Sequence, residues 1–291
     1  MRPALKKSLH WLGGSLAIAG IGFVVLRLRD YGGQMDFSRF GLKQWAVISG
    51  FALVYGISNL MLAQAWRSLL DRFGTHVTWR WAIKTYGVSQ LAKYVPGNIF
   101  HLAGRQAIGM AAGVPGWHLA KSSIWELALL TLAGAVYGVL ALPLVISSVP
   151  ASNVVFAFVL TASAAAALLG HASGRPVARA FVWHVLFFAV SAALFAALIK
   201  LVSSLSLADA SLWFALGGAY VLAWLAGFVT PGAPAGAGVR ELVLLFLLQG
   251  RVSGADLLLA IVLGRAITVS GDGVFFVLAS LLKGGKNIRV D

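Results

Sequence analysis

The chain has 291 residues, of which 59% are hydrophobic and only 11% are charged. So large an apolar fraction excludes an ordinary soluble globular domain and indicates an all-α integral membrane protein. The formal net charge is +14, but no helix-turn-helix, zinc-finger or RNA-binding motif accompanies the basic residues. We therefore expect no nucleic-acid partner and instead expect contact with anionic membrane lipids. Because the chain contains no cysteine, disulfides and thiolate metal sites are excluded.

Six apolar runs are long enough to cross a bilayer, which takes about 20 helical residues. The predicted spans cover residues 9–27, 44–65, 122–148, 152–170, 179–202 and 255–282. The first span follows basic residues, as in a signal peptide, but it continues past the small-residue site Ala17-x-Ala19. We therefore predict that it is an uncleaved membrane helix.

Two further apolar stretches, residues 81–113 and 211–250, are each interrupted by a Pro-Gly pair, at Pro96-Gly97 and at Pro231-Gly232. A broken helix leaves backbone groups unpaired, and this is tolerated in a membrane only inside protein or beside water. The two stretches are therefore predicted to be re-entrant helical hairpins. The alternative for residues 211–229 is an ordinary span, since this segment is long enough to cross alone.

The distribution of basic residues agrees with two hairpins that return to their own sides. In that arrangement the chain crosses the membrane six times, and both termini lie on one side. That side carries 15 of the 23 basic residues, in the segments 1–8, 66–121, 171–179 and 283–291. Because cytoplasmic loops are rich in Lys and Arg, we expect both termini in the cytoplasm.

The two broken stretches share more than a Pro-Gly pair. Arg105 and Arg240 each lie nine residues after the proline of their own stretch. A short apolar segment, a glycine-containing turn and a long span follow each arginine. Early in that span lies one charge, Glu126 in the first case and Arg265 in the second.

This correspondence predicts an inverted repeat within a single polytopic membrane domain, residues 1–291. The first half covers residues 27–148 and the second half covers residues 152–282. Inverted repeats whose broken helices meet near the membrane midplane are a recurring design of transporters. Coincidental spacing of the prolines and arginines is the alternative.

Four charged residues in the apolar segments are candidates for an intramembrane pathway or for ion pairs: Glu126, Arg265, Glu241 and Asp272. Charges inside a membrane span are costly and usually face a partner or an aqueous path. We expect Glu126 to pair with Arg265 across the repeat, and Asp272 to pair within its helix or with another helix. Glu126 could alternatively couple transport to protons. A further alternative is that these pairs only fix helix packing.

The two arginines near the Pro-Gly breaks are candidate phosphate ligands. Glycine-rich breaks expose N–H groups at a helix start, which favours anions, and a guanidinium binds phosphate bidentately. The predicted lipid-phosphate-binding residues are Arg105, Arg240, Gly97, Gly236 and Gly238. The alternative is that each arginine caps a helix or extends to the membrane interface.

No cofactor, metal ligand or catalytic residue is expected. The three histidines within the hydrophobic region, His101, His118 and His184, lack the spacing of a metal site, and no P-loop or complete dinucleotide-binding motif is present. Five tryptophans near predicted span ends are expected to be interfacial anchors: Trp11, Trp45, Trp79, Trp81 and Trp117.

Three segments carry a resemblance to a known family: "LAKYVPGNIFHLAGRQAIG" (91–109), "SSIWELALL" (122–130) and residues 236–267. They resemble the lysylphosphatidylglycerol synthase transmembrane-region family, the flippase-like membrane domain of the multiple peptide resistance factor. Pro231 to Glu241 follows the family pattern Pro-Gly-Gly-x-Gly-x-Arg-Glu, apart from residues 233–235. The first half departs from the family, because "HLAGRQ" stands where Gly-Glu is more usual.

The resemblance implies a membrane transporter or flippase that translocates an anionic phospholipid or a polyprenyl-phosphate-linked lipid between the leaflets of a bacterial-type inner (plasma) membrane. The matching motif positions are Arg105, Arg240, Glu241, Glu126 and Arg265. The chain ends just past the last predicted span, so the aminoacyl-transfer domain of the larger relatives is expected to be absent. We accordingly expect a transporter rather than an enzyme.

Two other functions remain as alternatives. One is an integral membrane glycosyltransferase-type enzyme that uses a lipid-phosphate sugar, for which Asp36, Asp71 and Asp209 are the candidate carboxylates. The other is a non-transporting cell-envelope assembly subunit that has an envelope-biosynthesis enzyme as its partner.

Overall fold

The computed structural model describes residues 40–95, 100–146, 150–203, 210–230, 238–282 and 288–290. Several predicted features lie outside the described residues. These are the predicted first span 9–27, both Pro-Gly pairs, Gly97, Gly236, Trp11, Asp36 and Asp209.

The described chain is almost entirely helical. Its α-helices are α1 (Leu42–Arg72), α2 (Trp79–Gln90), α3 (Phe100–Ala111), α4 (Gly116–Tyr137), α5 (Leu142–Val145), α6 (Ala151–Ser173), α7 (Arg175–Val202), α8 (Ala210–Val229), α9 (Val239–Leu248) and α10 (Gly254–Leu281). Short 3-10 turns extend α2 at Leu91–Tyr94 and join α4 to α5 at Gly138–Ala141. Two three-residue strands, β1 (Thr75–Val77) and β2 (Ile288–Val290), complete the described structure.

Six helical segments are long and apolar enough to cross a membrane: Leu42–Arg72, Gly116–Val145, Ser152–Ser173, Arg175–Val202, Ser211–Val229 and Gly254–Leu281. Five of them coincide with spans predicted from the sequence. The predicted fold class, an all-α membrane protein, is confirmed. The sixth segment, Ser211–Val229, belongs to the second broken stretch.

Several chain segments meet at one end of the helix bundle. Strand β1, which follows α1, pairs antiparallel with β2, with Thr75 opposite Val290, so α10 also finishes at this end. Arg72 Nε donates to the Ser173 carbonyl oxygen at 2.7 Å, which adds the junction between α6 and α7. Thr75 Oγ1 and His118 Nδ1 are hydrogen-bonded at 2.8 Å, so α4 begins here.

We call this region the basic end, because many basic residues lie on the segments that meet there: Arg67, Arg72, Arg80, Lys84, Lys121, Arg175, Arg179 and Arg289. These are among the residues that the charge distribution assigned to one side of the membrane. The predicted grouping of these segments is therefore present in the folded chain.

The first hairpin, α2 and α3, returns to the end from which it started. Helix α2 begins at Trp79, immediately after β1, and Thr78 caps it by accepting a hydrogen bond from the Trp81 N–H. Helix α3 leads into α4, which also begins at the basic end. Helix α3 has 12 residues, or about 18 Å of length. Helix α2 with its four-residue 3-10 extension reaches about 26 Å, and both are shorter than the roughly 30 Å hydrocarbon core of a bilayer. The first stretch is therefore a re-entrant hairpin.

The second hairpin, α8 and α9, enters from the opposite end. Helix α7 runs away from the basic end and α10 runs back to it, so the chain between them starts and finishes at the opposite end. Gly218 packs against Leu140, and Leu225 packs against Gly134, so α8 runs antiparallel to α4. The ten residues of α9 span only about 15 Å on the way back.

Helix α8 is long enough to cross a membrane, but its packing places its end inside the bundle. Gly134, against which Leu225 packs, lies about 27 Å along α4 from the basic end. Only four residues of α8 follow Leu225, so α8 stops about 20 Å short of the basic end. The second stretch is thus a hairpin inverted with respect to the first.

Both hairpins connect to the next long helix in the same way. Gly113 follows α3 with φ +99°, and Gly250 follows α9 with φ +74°. Each lies two residues beyond the end of its helix, in the left-handed region that favours glycine after a helix. The order of hairpin, left-handed glycine and long helix therefore occurs twice among the described residues, once from each end of the bundle.

The tryptophans at the basic end have two different environments. Trp79 and Trp117 are exposed, and the cationic groups of Arg80 and Lys121 lie 5.3 and 5.0 Å from their ring centroids. This agrees with an interfacial role. The prediction for Trp81 is wrong, because Trp81 is buried and stacks on Trp66 with ring centroids 5.7 Å apart.

Candidate functional site

Described residues of both hairpins line a cavity of about 80 Å³. Four of the lining residues lie near the Pro-Gly pairs in the sequence: Lys93 and Tyr94 precede the first pair, and Phe228 and Arg240 flank the second. The lining residues come from both hairpins and from α1, α4, α7 and α10: Tyr55, Leu62, Tyr86, Gln90, Lys93, Tyr94, His101, Leu102, Glu126, Leu127, Leu130, Phe187, Trp224, Phe228, Arg240, Arg265 and Thr268.

A buried ion pair attaches the first hairpin to α4. Arg105 Nη1 donates to Glu126 Oε2 at 2.7 Å, and only 2% of each side chain is exposed. The Tyr86 hydroxyl donates to the other carboxylate oxygen at 2.8 Å. The Arg105 guanidinium also lies 4.2 Å from the ring centroid of Tyr86 and 5.3 Å from that of Trp66. Arg105 is therefore neutralised by Glu126 and is not one of the cavity-lining residues.

A second ion pair attaches the second hairpin to α10. Arg265 donates from Nε and Nη2 to Glu241 Oε1 at 3.0 and 2.9 Å. This pair is more open, with 11% of the Arg265 side chain and 24% of the Glu241 side chain exposed. The predicted pair between Glu126 and Arg265 is thus wrong. Each hairpin returns beside the long helix that follows it, so each charge finds its partner within its own half.

The two pairs have reversed polarity. The hairpin supplies Arg105 in the first half and Glu241 in the second, while the long helix supplies Glu126 and then Arg265. Arg105 and Arg240 lie at the same distance from the prolines of their stretches, but they lie at different positions in their helices. Helix α3 begins at Phe100, whereas α9 begins at Val239. The segment between the proline and the helix is longer in the second half. Arg105 and Arg240 consequently have different surroundings.

A third ion pair joins the first hairpin to α10. Lys93 Nζ lies 2.7 Å from Asp272 Oδ2, and the Tyr94 hydroxyl donates to the same oxygen. Asp272 is fully buried, and its expected pairing with another helix is confirmed. Sequence reasoning did not identify Lys93 and Tyr94 as site residues. Their position, directly before the helix break in "LAKYVPG", was the available signal.

Arg240 has no acidic partner among the described residues. It is the second residue of α9, its guanidinium carbon lies 5.4 Å from the Trp224 ring centroid, and its buried Nε has no hydrogen-bond partner. Gly238, with φ +86°, is the N-cap residue of α9. Because the other three described cations near the cavity are each paired, Arg240 leaves one uncompensated positive charge there.

The candidate catalytic carboxylates receive no support from the described structure. Asp71 Oδ1 lies 3.2 Å from His76 Nδ1 at the basic end. Glu126, which lines the cavity, and Glu241 and Asp272 on the neighbouring helices are held in ion pairs.

Comparisons with protein-family models, with curated proteins and with solved structures gave no match. The resemblance to the lysylphosphatidylglycerol synthase transmembrane-region family therefore stays an expectation from the sequence motifs. Functional conclusions for this chain come from the cavity and the contacts around it.

Proposed function

We propose that the protein is a membrane transporter that moves an anionic lipid between the two leaflets. The lipid is an anionic phospholipid or a polyprenyl-phosphate-linked lipid, and Arg240 binds its phosphate. The observation that carries this proposal is the uncompensated charge of Arg240 at a cavity in the middle of a membrane bundle. An unpaired charge in such a place is costly unless an anion or water compensates it.

The surroundings of Arg240 suit a phosphate. A guanidinium can donate two parallel hydrogen bonds to phosphate oxygens. Arg240 lies in the first turn of α9, where the helix dipole favours a negative charge. Tyr55 and His101 also line the cavity and can donate further hydrogen bonds.

The inverted hairpins support transport rather than simple binding. Two broken helices that enter from opposite ends and meet at one polar cavity are typical of transporters with alternating access. The Glu241–Arg265 pair of the second hairpin is more exposed than the Arg105–Glu126 pair of the first. Movement of α9 is thus the easier way to open the cavity, and it exposes Arg240 toward the opposite end.

The roles of the other predicted site residues follow from their contacts. Glu126, Glu241, Asp272 and Arg265 form the ion pairs that hold the hairpins around the cavity. Arg105 has a supporting role through Glu126, and Gly238 allows the chain to turn into α9. The proposal places the protein in a bacterial-type inner membrane, with the basic end toward the cytoplasm. The grouping of basic residues at that end supports this orientation.

Transport by Arg240→Ala tests this function. In proteoliposomes that contain fluorescent phosphatidylglycerol, we expect the wild type to move this lipid faster than fluorescent phosphatidylcholine. Arg240→Ala should slow phosphatidylglycerol by about 10- to 150-fold, the equivalent of charge-assisted hydrogen bonds worth about 1.5–3 kcal/mol.

The matched control is Arg251→Ala, which removes an exposed arginine from the turn between α9 and α10. This variant should transport at the wild-type rate. Equal rates for the wild type and Arg240→Ala would contradict the proposed role of Arg240.

A further inference from the structure

A narrow, largely apolar groove adjoins the cavity on the side of the bundle. Tyr55 and Thr268 line both spaces, so they mark the junction. Helix α7 forms the floor of the groove, and α8 and α10 form its walls. The groove opens between helices, where Leu194 and Gly264 are partly exposed.

The groove is apolar even where its residues carry hydroxyl groups. Thr268 Oγ1 donates to the Arg265 carbonyl oxygen at 3.0 Å, and Ser191 Oγ donates to the Phe187 carbonyl oxygen at 3.0 Å. Both hydroxyls are thus used within their own helices. Apart from Tyr55 and Tyr220, the other lining side chains carry no polar atom, which suits an apolar ligand and not a hydrated ion.

A glycine on α10 keeps the groove open. A Cβ atom added at Gly264 would lie 3.6 Å from Leu198 Cδ2 and 4.0 Å from Phe195 Cδ2. These distances allow ordinary van der Waals contact, so a larger side chain at this position can be accommodated only in the groove. Gly264 lies ten residues after the start of α10 at Gly254, or about 15 Å from the opposite end of the bundle. At this depth the helix is surrounded by the hydrocarbon core of the bilayer.

We infer that this groove holds one hydrocarbon chain of the anionic lipid whose phosphate lies at Arg240. The inference rests on the proposed function and extends it, because the groove lies next to the polar cavity and shares Tyr55 and Thr268 with it. An amphiphile can place its charged group in the cavity and pass its chain through the groove into the bilayer. A soluble anion with the same phosphate would leave the groove empty.

Photo-crosslinking tests the position of the chain. The wild type is reconstituted with phosphatidylglycerol that carries a diazirine in the acyl chain, and crosslinked residues are identified by mass spectrometry. We expect crosslinks at Phe195 and Leu198. These side chains are only 3% and 1% exposed, so bilayer lipid that stays outside the groove does not contact them.

Two leucine substitutions on the same helix form a matched pair. Gly264→Leu fills the groove and should remove the crosslinks at Phe195 and Leu198. Gly273→Leu should retain them, because a Cβ at Gly273 meets no atom within 4 Å. Absence of these crosslinks in the wild type, or equal crosslinking in Gly264→Leu, would overturn the inference.

Arg240→Ala separates this inference from the proposed function. Loss of the groove crosslinks in Arg240→Ala supports a chain anchored by its phosphate. Retention of the crosslinks, with the Gly264→Leu effect intact, would support the groove as a hydrocarbon site and overturn the phosphate site at Arg240. If Gly264→Leu does not fold, the wild-type crosslinks at Phe195 and Leu198 still decide whether a chain occupies the groove.

Discussion

Replacing Glu126 with alanine is expected to destabilise the protein by about 3–5 kcal/mol, the usual cost of removing one partner of a buried ion pair. The Arg105 guanidinium would remain charged, buried and without its carboxylate. Tyr86 would also lose the acceptor of its hydroxyl. The free energy of unfolding in mixed micelles, titrated with a denaturing detergent, measures this loss.

Two comparisons show whether burial causes the effect. Glu241→Ala breaks the more exposed pair and should cost less, because water can solvate the arginine that remains. The double variant Arg105→Met/Glu126→Leu leaves no unpaired charge, so it should recover much of the stability lost in Glu126→Ala. Equal losses for Glu126→Ala and Glu241→Ala would contradict this explanation.

Replacing Gly271 with leucine is expected to destabilise the packing of α10 against α1. A Cβ at Gly271 would lie 2.6 Å from the Ala52 carbonyl oxygen, and a Cβ at Gly56 would lie 2.8 Å from the Gly271 carbonyl oxygen. The two backbones are thus in direct contact, as small residues permit in membrane bundles. We expect a loss at or above the upper end of the roughly 1–3 kcal/mol that overpacking usually costs.

The same substitution two residues away is the control for Gly271→Leu. Gly273→Leu introduces the same side chain into open space, and it also replaces glycine by a better helix former. Its unfolding free energy should therefore equal or exceed that of the wild type. Similar losses in both variants would indicate that the close approach of α1 and α10 does not determine the stability.

The sequence predicted the hairpins because their cause is local. A Pro-Gly pair in an apolar stretch requires an interrupted helix, and the unpaired backbone groups require a polar cavity around the interruption. The distribution of basic residues then indicated which segments share an end. Whether α8 is re-entrant or spans the membrane is decided by the contact between Gly134 and Leu225. These residues are distant in the sequence, so composition does not show the contact.

The partners of the charged residues were harder to predict from the sequence. Spacing matched Arg105 with Arg240 and Glu126 with Arg265, but it did not show which side chains meet. That choice depends on where α3 and α9 begin after each break. Lys93 was counted only among the basic residues of the cytoplasmic side, because its pairing with Asp272 depends on the packing of the first hairpin against α10.

The two hairpins are attached to the bundle with different strength. The first hairpin is held by two ion pairs, Arg105–Glu126 and Lys93–Asp272, both with a fully buried carboxylate. The second hairpin has only the more exposed Glu241–Arg265 pair among the described ion pairs. Because α9 carries Arg240, the more weakly held hairpin also carries the proposed phosphate ligand.

The lipid that remains bound to the purified protein tests the central claim most directly. In native mass spectrometry of protein extracted from membranes in a mild detergent, the wild type should retain an anionic, phosphate-containing lipid. Arg240→Ala should lose that lipid, whereas Arg251→Ala should retain it. A wild type without such a lipid, or an Arg240→Ala variant that retains it to the same extent, would contradict an anionic-lipid site at Arg240.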